Sequence, residues 1–190
     1  MDLTLFLWIN GWGGTIGWVD RLSLYIIGDY FIPVLLSTVL FGVWFVDSEV
    51  KRPQKNQLCV LASLLGVGIS NSFNSALNQI VSRARPFVDY DTVLLFYPPT
   101  DSSFPANPAV VGFALAIGIL FANRWLGYLA VVLALMWGLS RVYSGVNYPL
   151  DVLAGYFLGG GSTTIIYIGF HFSPIGQIIL RKLPNWASPT

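Results

Sequence analysis

Charge and thiols are scarce in this chain, and histidine is nearly absent. Of its 190 residues 10% are charged and 55% hydrophobic, and the mean hydropathy is +0.66. So little polar material cannot coat a water-soluble globule of this size, which excludes that class and indicates an integral membrane protein. The single cysteine, Cys59, precludes an intrachain disulfide, and no second thiol or nearby histidine accompanies it to hold a metal. It is expected to be an inert buried thiol, and neither a metal nor a cofactor is expected. A formal net charge of +1 with no basic stripe excludes nucleic-acid binding as a main function. The one histidine, His171, lies far from the polar motifs described below.

Apolar runs, by contrast, are long. A bilayer core of about 30 Å takes roughly 20 apolar residues in helix to cross, so such runs can be counted as spans. Five are found: Leu22 to Val46, Gln57 to Val81, the short Ala109 to Asn123, Leu126 to Tyr143, and Leu150 to Phe172. The expected fold is all-α, an integral membrane helical bundle of about five transmembrane helices forming one domain over residues 1–190, without repeats. Before the first span, Leu3, Phe6, Leu7, Trp8, Ile9 and Trp12 precede Gly13-Gly14. This is too short and aromatic for a span and suits an amino-terminal interfacial helix within residues 1–20. No basic residue precedes it and no small-residue cleavage site follows, so Met1 reads as the mature start rather than the start of a signal peptide. Residues 173–190, with Arg181, Lys182 and Trp186, read as an interfacial tail.

Five spans put the amino terminus, the second-to-third loop and the fourth-to-fifth loop on one side. The other side receives Lys51, Arg52, Lys55, Arg124, Arg181 and Lys182, while Arg83, Arg85 and Arg141 on the first side belong to a candidate site. The positive-inside rule then places the protein in the cytoplasmic membrane with its motif face away from the cytoplasm.

Chemistry concentrates at that face. Asn71, Asn74, Ser75, Asn78 and Ser82 recur at helical spacing and form a polar stripe expected to face the bundle interior, either as interhelical hydrogen bonds or as a ligand path. The stripe runs into Arg83-Ala84-Arg85-Pro86, and arginine suits bidentate contact with phosphate oxygens. Arg141 ends the fourth span, where it either snorkels to headgroups or binds a ligand. Asp151 follows Pro149 at the start of the fifth span, as a helix cap or as a functional carboxylate.

Together these segments resemble the phosphatidic acid phosphatase type 2 superfamily, and among its branches the small bacterial undecaprenyl-diphosphate phosphatases. That family is marked by Lys, six residues, Arg-Pro; then Pro-Ser-Gly-His; then Ser-Arg, five residues, His, three residues, Asp. The corresponding segments here are Asn78 to Arg85-Pro86, then Pro105-Ala106-Asn107-Pro108, then Ser140-Arg141 through Asn147 to Asp151. The resemblance implies a compact bundle with the motifs gathered at one membrane face. In active members it implies a nucleophilic histidine oriented by the aspartate, a second histidine as acid, and cations on the phosphate oxygens. Arg85, Arg141 and Asp151 are retained. Asn78 stands at the lysine position, Ala106 at the serine, Asn107 at the glycine, Pro108 at the acid and Asn147 at the nucleophile.

An amide is neither basic nor nucleophilic near neutral pH, and proline has no side-chain proton to donate. His171 lies 20 residues beyond Asp151, about 30 Å along a helix, and cannot substitute. The expectation is therefore a phosphatase-like protein lacking both catalytic histidines. It would bind a phosphorylated lipid headgroup, of a phospholipid or prenyl phosphate, through Arg85, Arg141, Asn78 and Asn147, or serve as a subunit of a membrane complex with other membrane proteins. In the subunit reading Asp151 pairs with Arg141, and Gly159-Gly160-Gly161 permits close helix packing. The alternative is an active lipid phosphate or prenyl diphosphate phosphatase with an altered nucleophile, Asp151, Tyr143, Ser144 or Tyr148.

Overall fold

The structure is a computed structural model that describes residues 1–45 and 53–174, the side chains of Pro53 and Gln54 excepted. Among the described residues it is helical throughout: α1 (Asp2–Asn10), α2 (Gly17–Ile27), α3 (Phe31–Phe45), α4 (Pro53–Val81), α5 (Pro86–Asp89), α6 (Asn107–Ala122), α7 (Arg124–Tyr143) and α8 (Pro149–Phe172). Proline sits in the first turn of α5, α6 and α8, where its missing N–H leaves no extra unpaired donor. Asn123 caps α7, its side-chain oxygen accepting from Trp125 N at 3.0 Å and Leu126 N at 3.1 Å.

Among the described residues three helices, α4, α7 and α8, are long and apolar enough to cross a membrane, and a fourth span is made if α2 and α3 are counted as one. The expected run from Leu22 is thus divided: α2 and α3 meet at a 55° bend across Gly28-Asp29-Tyr30. Gly28 leaves the helical region at φ −53, ψ 140, and a carboxylate in the break has no reason to stay in an apolar helix. The expected third run is the 16-residue α6. It is the central helix, packed against α3, α4, α7 and α8, and its apolar residues are buried nearly all round.

Small residues let the backbones approach. A Cβ added to Gly159 of α8 would lie 2.0 Å from the carbonyl oxygen of Val110 in α6, whereas Gly161 faces open space. The hydroxyls of Ser63 in α4 and Thr163 in α8 both donate to the Ala114 carbonyl of α6, at 3.0 and 3.1 Å, and Tyr156 of α8 donates to Leu135 O of α7 at 2.8 Å. Cys59 is fully buried at this junction.

Two expectations need correction. The stripe on α4 does not face inward as a unit: Asn74 is buried and Asn78 half-buried, while Asn71, Ser75 and Ser82 are exposed. Ser75 satisfies its hydroxyl within the helix, donating to Asn71 O at 3.0 Å, so it does not require an interior partner. The amino-terminal segment is more than an interfacial anchor, and α2 already begins at Gly17 inside it. Trp8, Trp12 and Trp18 are exposed as interface residues would be, but Phe6 is fully buried and meets the Tyr148 ring edge-on at 5.5 Å. Val46, Lys51, Arg52, Arg181, Lys182 and the tail from residue 175 lie outside the described residues.

Candidate functional site

Three stretches converge at one end of the bundle: the chain after α4, the segment from Tyr90 to Ala106, and the α7–α8 turn. Ser82, the residue after α4, lies in the left-handed region at φ 42 and turns the chain into the Arg83–Pro86 segment. Backbone bonds then sew the stretches together, from Ser103 N to Arg83 O at 2.9 Å and from Ala106 N to Asp151 O at 3.0 Å. Gly145 is required in the turn, with φ +80 and the Val93 carbonyl oxygen 2.8 Å from where a Cβ would stand. Asn10 of α1 closes this end, its amide nitrogen donating to both Val93 O and Tyr143 O at 2.9 Å.

Asn147 and Asp151 sit at the bottom of the site, 1% and 0% exposed. Asn147 Nδ2 donates to Ser103 O at 2.9 Å and to Ser103 Oγ at 3.3 Å, and its Oδ1 accepts from an Arg85 Nη at 3.3 Å. Ser103 Oγ in turn donates to one oxygen of Asp151, and Arg83 pairs with the other. Arg83 also reaches Asp2 of α1 at 2.8 Å and lies over the Tyr148 ring, 3.9 Å from its centroid. Asp151 is therefore neither a cap of α8 nor the partner of Arg141. The α8 amino end is satisfied by Asp2, whose Oδ1 accepts from Leu150 N at 3.1 Å.

Arg85 and Arg141 each hold a different acid. The side chain of Arg85, 8% exposed, donates to Asp101 Oδ1 at 2.8 Å and also to the carbonyls of Asp101 at 2.9 Å and Val146 at 3.1 Å. The side chain of Arg141, 4% exposed, pairs with Asp29 in the α2–α3 break and lies 5.1 Å from the Phe96 ring centroid. Its Nε is buried and has no hydrogen-bond partner among the described residues. Tyr97 donates to the same Asp29 at 2.6 Å, and that bond first, with desolvation second, pushes the phenol pKa above its ordinary value. A cleft of about 500 Å³ opens beside Arg85, lined by Asn78, Arg83, Asp101 and Ser102 among others.

Of the residues singled out in the sequence, Arg85, Asn147 and Asp151 are thus linked, Asn78 lines the cleft, and Arg141 stands by with its own acid. Ala106 is the buried residue preceding α6, and Asn107 and Pro108 form its first turn. Asn107 Oδ1 accepts from Asn74 at 3.4 Å, which ties the second motif to the α4 stripe. His171 is near the far end of α8, its ring stacked 6.2 Å from Tyr167. No group of histidine, cysteine or acid side chains able to hold a metal occurs among the described residues. Sequence reasoning missed the acids Asp2, Asp29 and Asp101 as partners and understated Arg83 and Ser103. For Asp29 a signal was present, since a carboxylate inside an apolar run asks for a partner.

The wider comparisons agree with this geometry. Residues 58–174, which include all three motifs, match the PAP2 superfamily. The chain is 29% identical over 190 residues to the putative undecaprenyl-diphosphatase YbjG of Escherichia coli K12, covering 98% of this chain and 90% of that protein. It is 28% identical over 183 residues to the undecaprenyl-diphosphatase BcrC of Bacillus subtilis 168, covering 94% and 86% respectively. Its fold is similar to the crystal structure of Aquifex aeolicus LpxE, with a TM-score of 0.65 at 24% identity over 87% of this chain and 93% of that one. A Bacillus subtilis transmembrane PAP2-type phosphatidylglycerolphosphate phosphatase gives 0.64 at 23% identity over 90% and 88%. An all-helical membrane bundle, three motifs gathered at one end and a match across most of the length lead to one conclusion: the chain belongs to the PAP2 superfamily.

Proposed function

We propose that this chain is a non-hydrolysing member of its superfamily that holds the phosphorylated headgroup of a membrane lipid, with the motif face directed away from the cytoplasm. The observation that carries the reading is Asn147. At the position where the family resemblance places the nucleophile stands a buried amide whose donor and acceptor are both engaged, by Ser103 and Arg85. Its nitrogen lone pair is delocalised into the carbonyl, so the amide is not a nucleophile toward phosphorus, and Pro108 supplies no proton. Of the cations that would bind oxygen, Arg85 and Arg141 are kept while Asn78 replaces the lysine, which leaves the chemistry of holding rather than cutting. Relatives named for undecaprenyl diphosphate and for lipid A phosphates suggest the ligand class, a prenyl diphosphate or other lipid phosphate.

The hydrolytic alternative has one observation in its favour. Ser103 Oγ donates to Asp151, a hydroxyl beside a carboxylate, although Ser103 is 0% exposed and Asp151 is already paired with Arg83. Tyr143 and Ser144 are worse placed, bonded to Asp20 and Ser23 respectively.

Phosphate release from undecaprenyl diphosphate and from phosphatidic acid decides between them. We expect none above an Arg85→Ala, Arg141→Ala double variant, together with tighter retention of those lipids by the parent protein. Turnover that disappears in Asp151→Asn yet survives Asn147→Ala would overturn the reading. Equal lipid retention by parent and double variant would instead leave the arginines as braces of the fold and favour a subunit role.

A further inference from the structure

The two arginines retained for phosphate are not equivalent to the third. Arg83 is tied to Asp151, a carboxylate with 0% side-chain exposure that belongs to the motif itself. Arg85 and Arg141 are tied to acids outside the motifs, whose side chains are far more open at 59% for Asp101 and 36% for Asp29. Asp101 lies on the irregular segment between α5 and α6, and Asp29 on the break between α2 and α3, so both belong to connecting chain rather than to packed helix. Both arginines meet the α7–α8 turn at Val146, whose carbonyl accepts from Arg85 at 3.1 Å and whose N–H donates to the Arg141 carbonyl at 2.9 Å, and Tyr97 donates to Asp29 at 2.6 Å. Two buried cations beside one turn require two negative charges, and here the chain supplies them.

The geometry points to Asp29 and Asp101 as built-in anions that occupy Arg141 and Arg85 until a phosphate monoester or diphosphate headgroup displaces them. This rests on the binding reading above and adds its regulation. The exchange conserves charge, because a dianion replaces two carboxylates. Arg85 keeps its aim when Asp101 leaves, since the carbonyl of Val146 and the side-chain oxygen of Asn147 still accept from it at 3.1 and 3.3 Å. Arg141 gains more, because its buried Nε has no acceptor among the described residues and a phosphate oxygen would provide one. The cleft beside Arg85 reaches Asp101 directly, so the more exposed carboxylate is the first to be met. Departure of Asp29 also frees Tyr97, which couples ligand binding to the α2–α3 bend and to the segment over it.

The test compares the full chain in nanodiscs with its Asp29→Asn, Asp101→Asn and Asp29→Glu variants. Probes are inorganic diphosphate and, separately, phosphatidylcholine discs containing phosphatidic acid, so that a free anion and a lipid headgroup are told apart. Removing a competing carboxylate raises the fraction of sites open to ligand, and each Asn variant should bind roughly tenfold more tightly. Asp29→Glu should bind like the parent. Asp101→Asn, at an exposed position, serves should Asp29→Asn fail to fold. Unchanged or weaker affinity in the folded Asn variants would overturn the displaced carboxylates while leaving the binding reading intact. Loss of binding by parent and variants alike would overturn both. Turnover by the parent, with KM lowered in Asp29→Asn, would overturn the non-hydrolysing reading and keep the displacement.

Discussion

Asn147 connects two motifs through one amide, so its removal is felt on both sides. In Asn147→Ala, the Ser103 carbonyl loses a donor and Arg85 an acceptor inside a site with no exposed surface at that residue. Leaving buried polar groups unpaired costs about 1–3 kcal/mol, so thermal unfolding in detergent should show a lower Tm for this variant. Phosphate release, already absent on the proposed reading, should stay unchanged, which separates a holding residue from a nucleophile. Asp151→Asn should be damaging to a similar degree. It keeps the shape but removes the charge that faces Arg83 and receives the Ser103 hydroxyl. Because Arg83 is one-third exposed and retains Asp2, the loss should fall short of a fully buried pair, at about 2 kcal/mol. Equal melting temperatures for Asp151→Asn and the parent would show that Asp151 does not brace this end.

The long helices were largely legible from the chain, because apolar runs of span length have few alternatives in a membrane and Pro149 marks where α8 begins, whereas the short α5 was not foreseen. What was not legible at this scale was how each helix is used. The α4 stripe was expected to point inward, yet serine hydroxyls can return to their own helix and so carry no information about direction. Likewise Gly159, Gly160 and Gly161 looked interchangeable in the sequence, but the crossing of α6 and α8 falls on the first. Gly159→Ala would drive a methyl group into the backbone at Val110 and force the helices apart. Overpacking of that kind costs about 3 kcal/mol, whereas Gly161→Ala, facing open space, should change stability by less than about 0.5 kcal/mol. Denaturation of the two variants side by side checks this, and similar losses in both would mean that α8 does not meet α6 at Gly159.

At the scale of the molecule, it was the family resemblance that implied the three segments gather at one membrane face, and residues 83–85, 103–107 and 141–151 do meet at one end of the bundle. Their acidic partners stayed hidden, since Asp2 and Asp29 lie 81 and 112 residues from their arginines and Asp101 returns to Arg85 through an irregular segment that shows no periodicity. The direction of that face rests on charge distribution, and part of it on residues outside the described structure. A labelling experiment decides it. Cys59 is the only cysteine and is fully buried, so a Cys59→Ser background carries no competing thiol. Ala84 is exposed on the motif face, and Arg124 is exposed at the opposite end of α7 from Arg141. The 20 residues of α7 separate those ends by about 30 Å, enough to place them on opposite sides of a bilayer core. In intact cells a membrane-impermeant maleimide should therefore modify Ala84→Cys and spare Arg124→Cys until the membrane is permeabilised. The reverse pattern would turn the site toward the cytoplasm, and lipid phosphates of the inner leaflet would become its ligands.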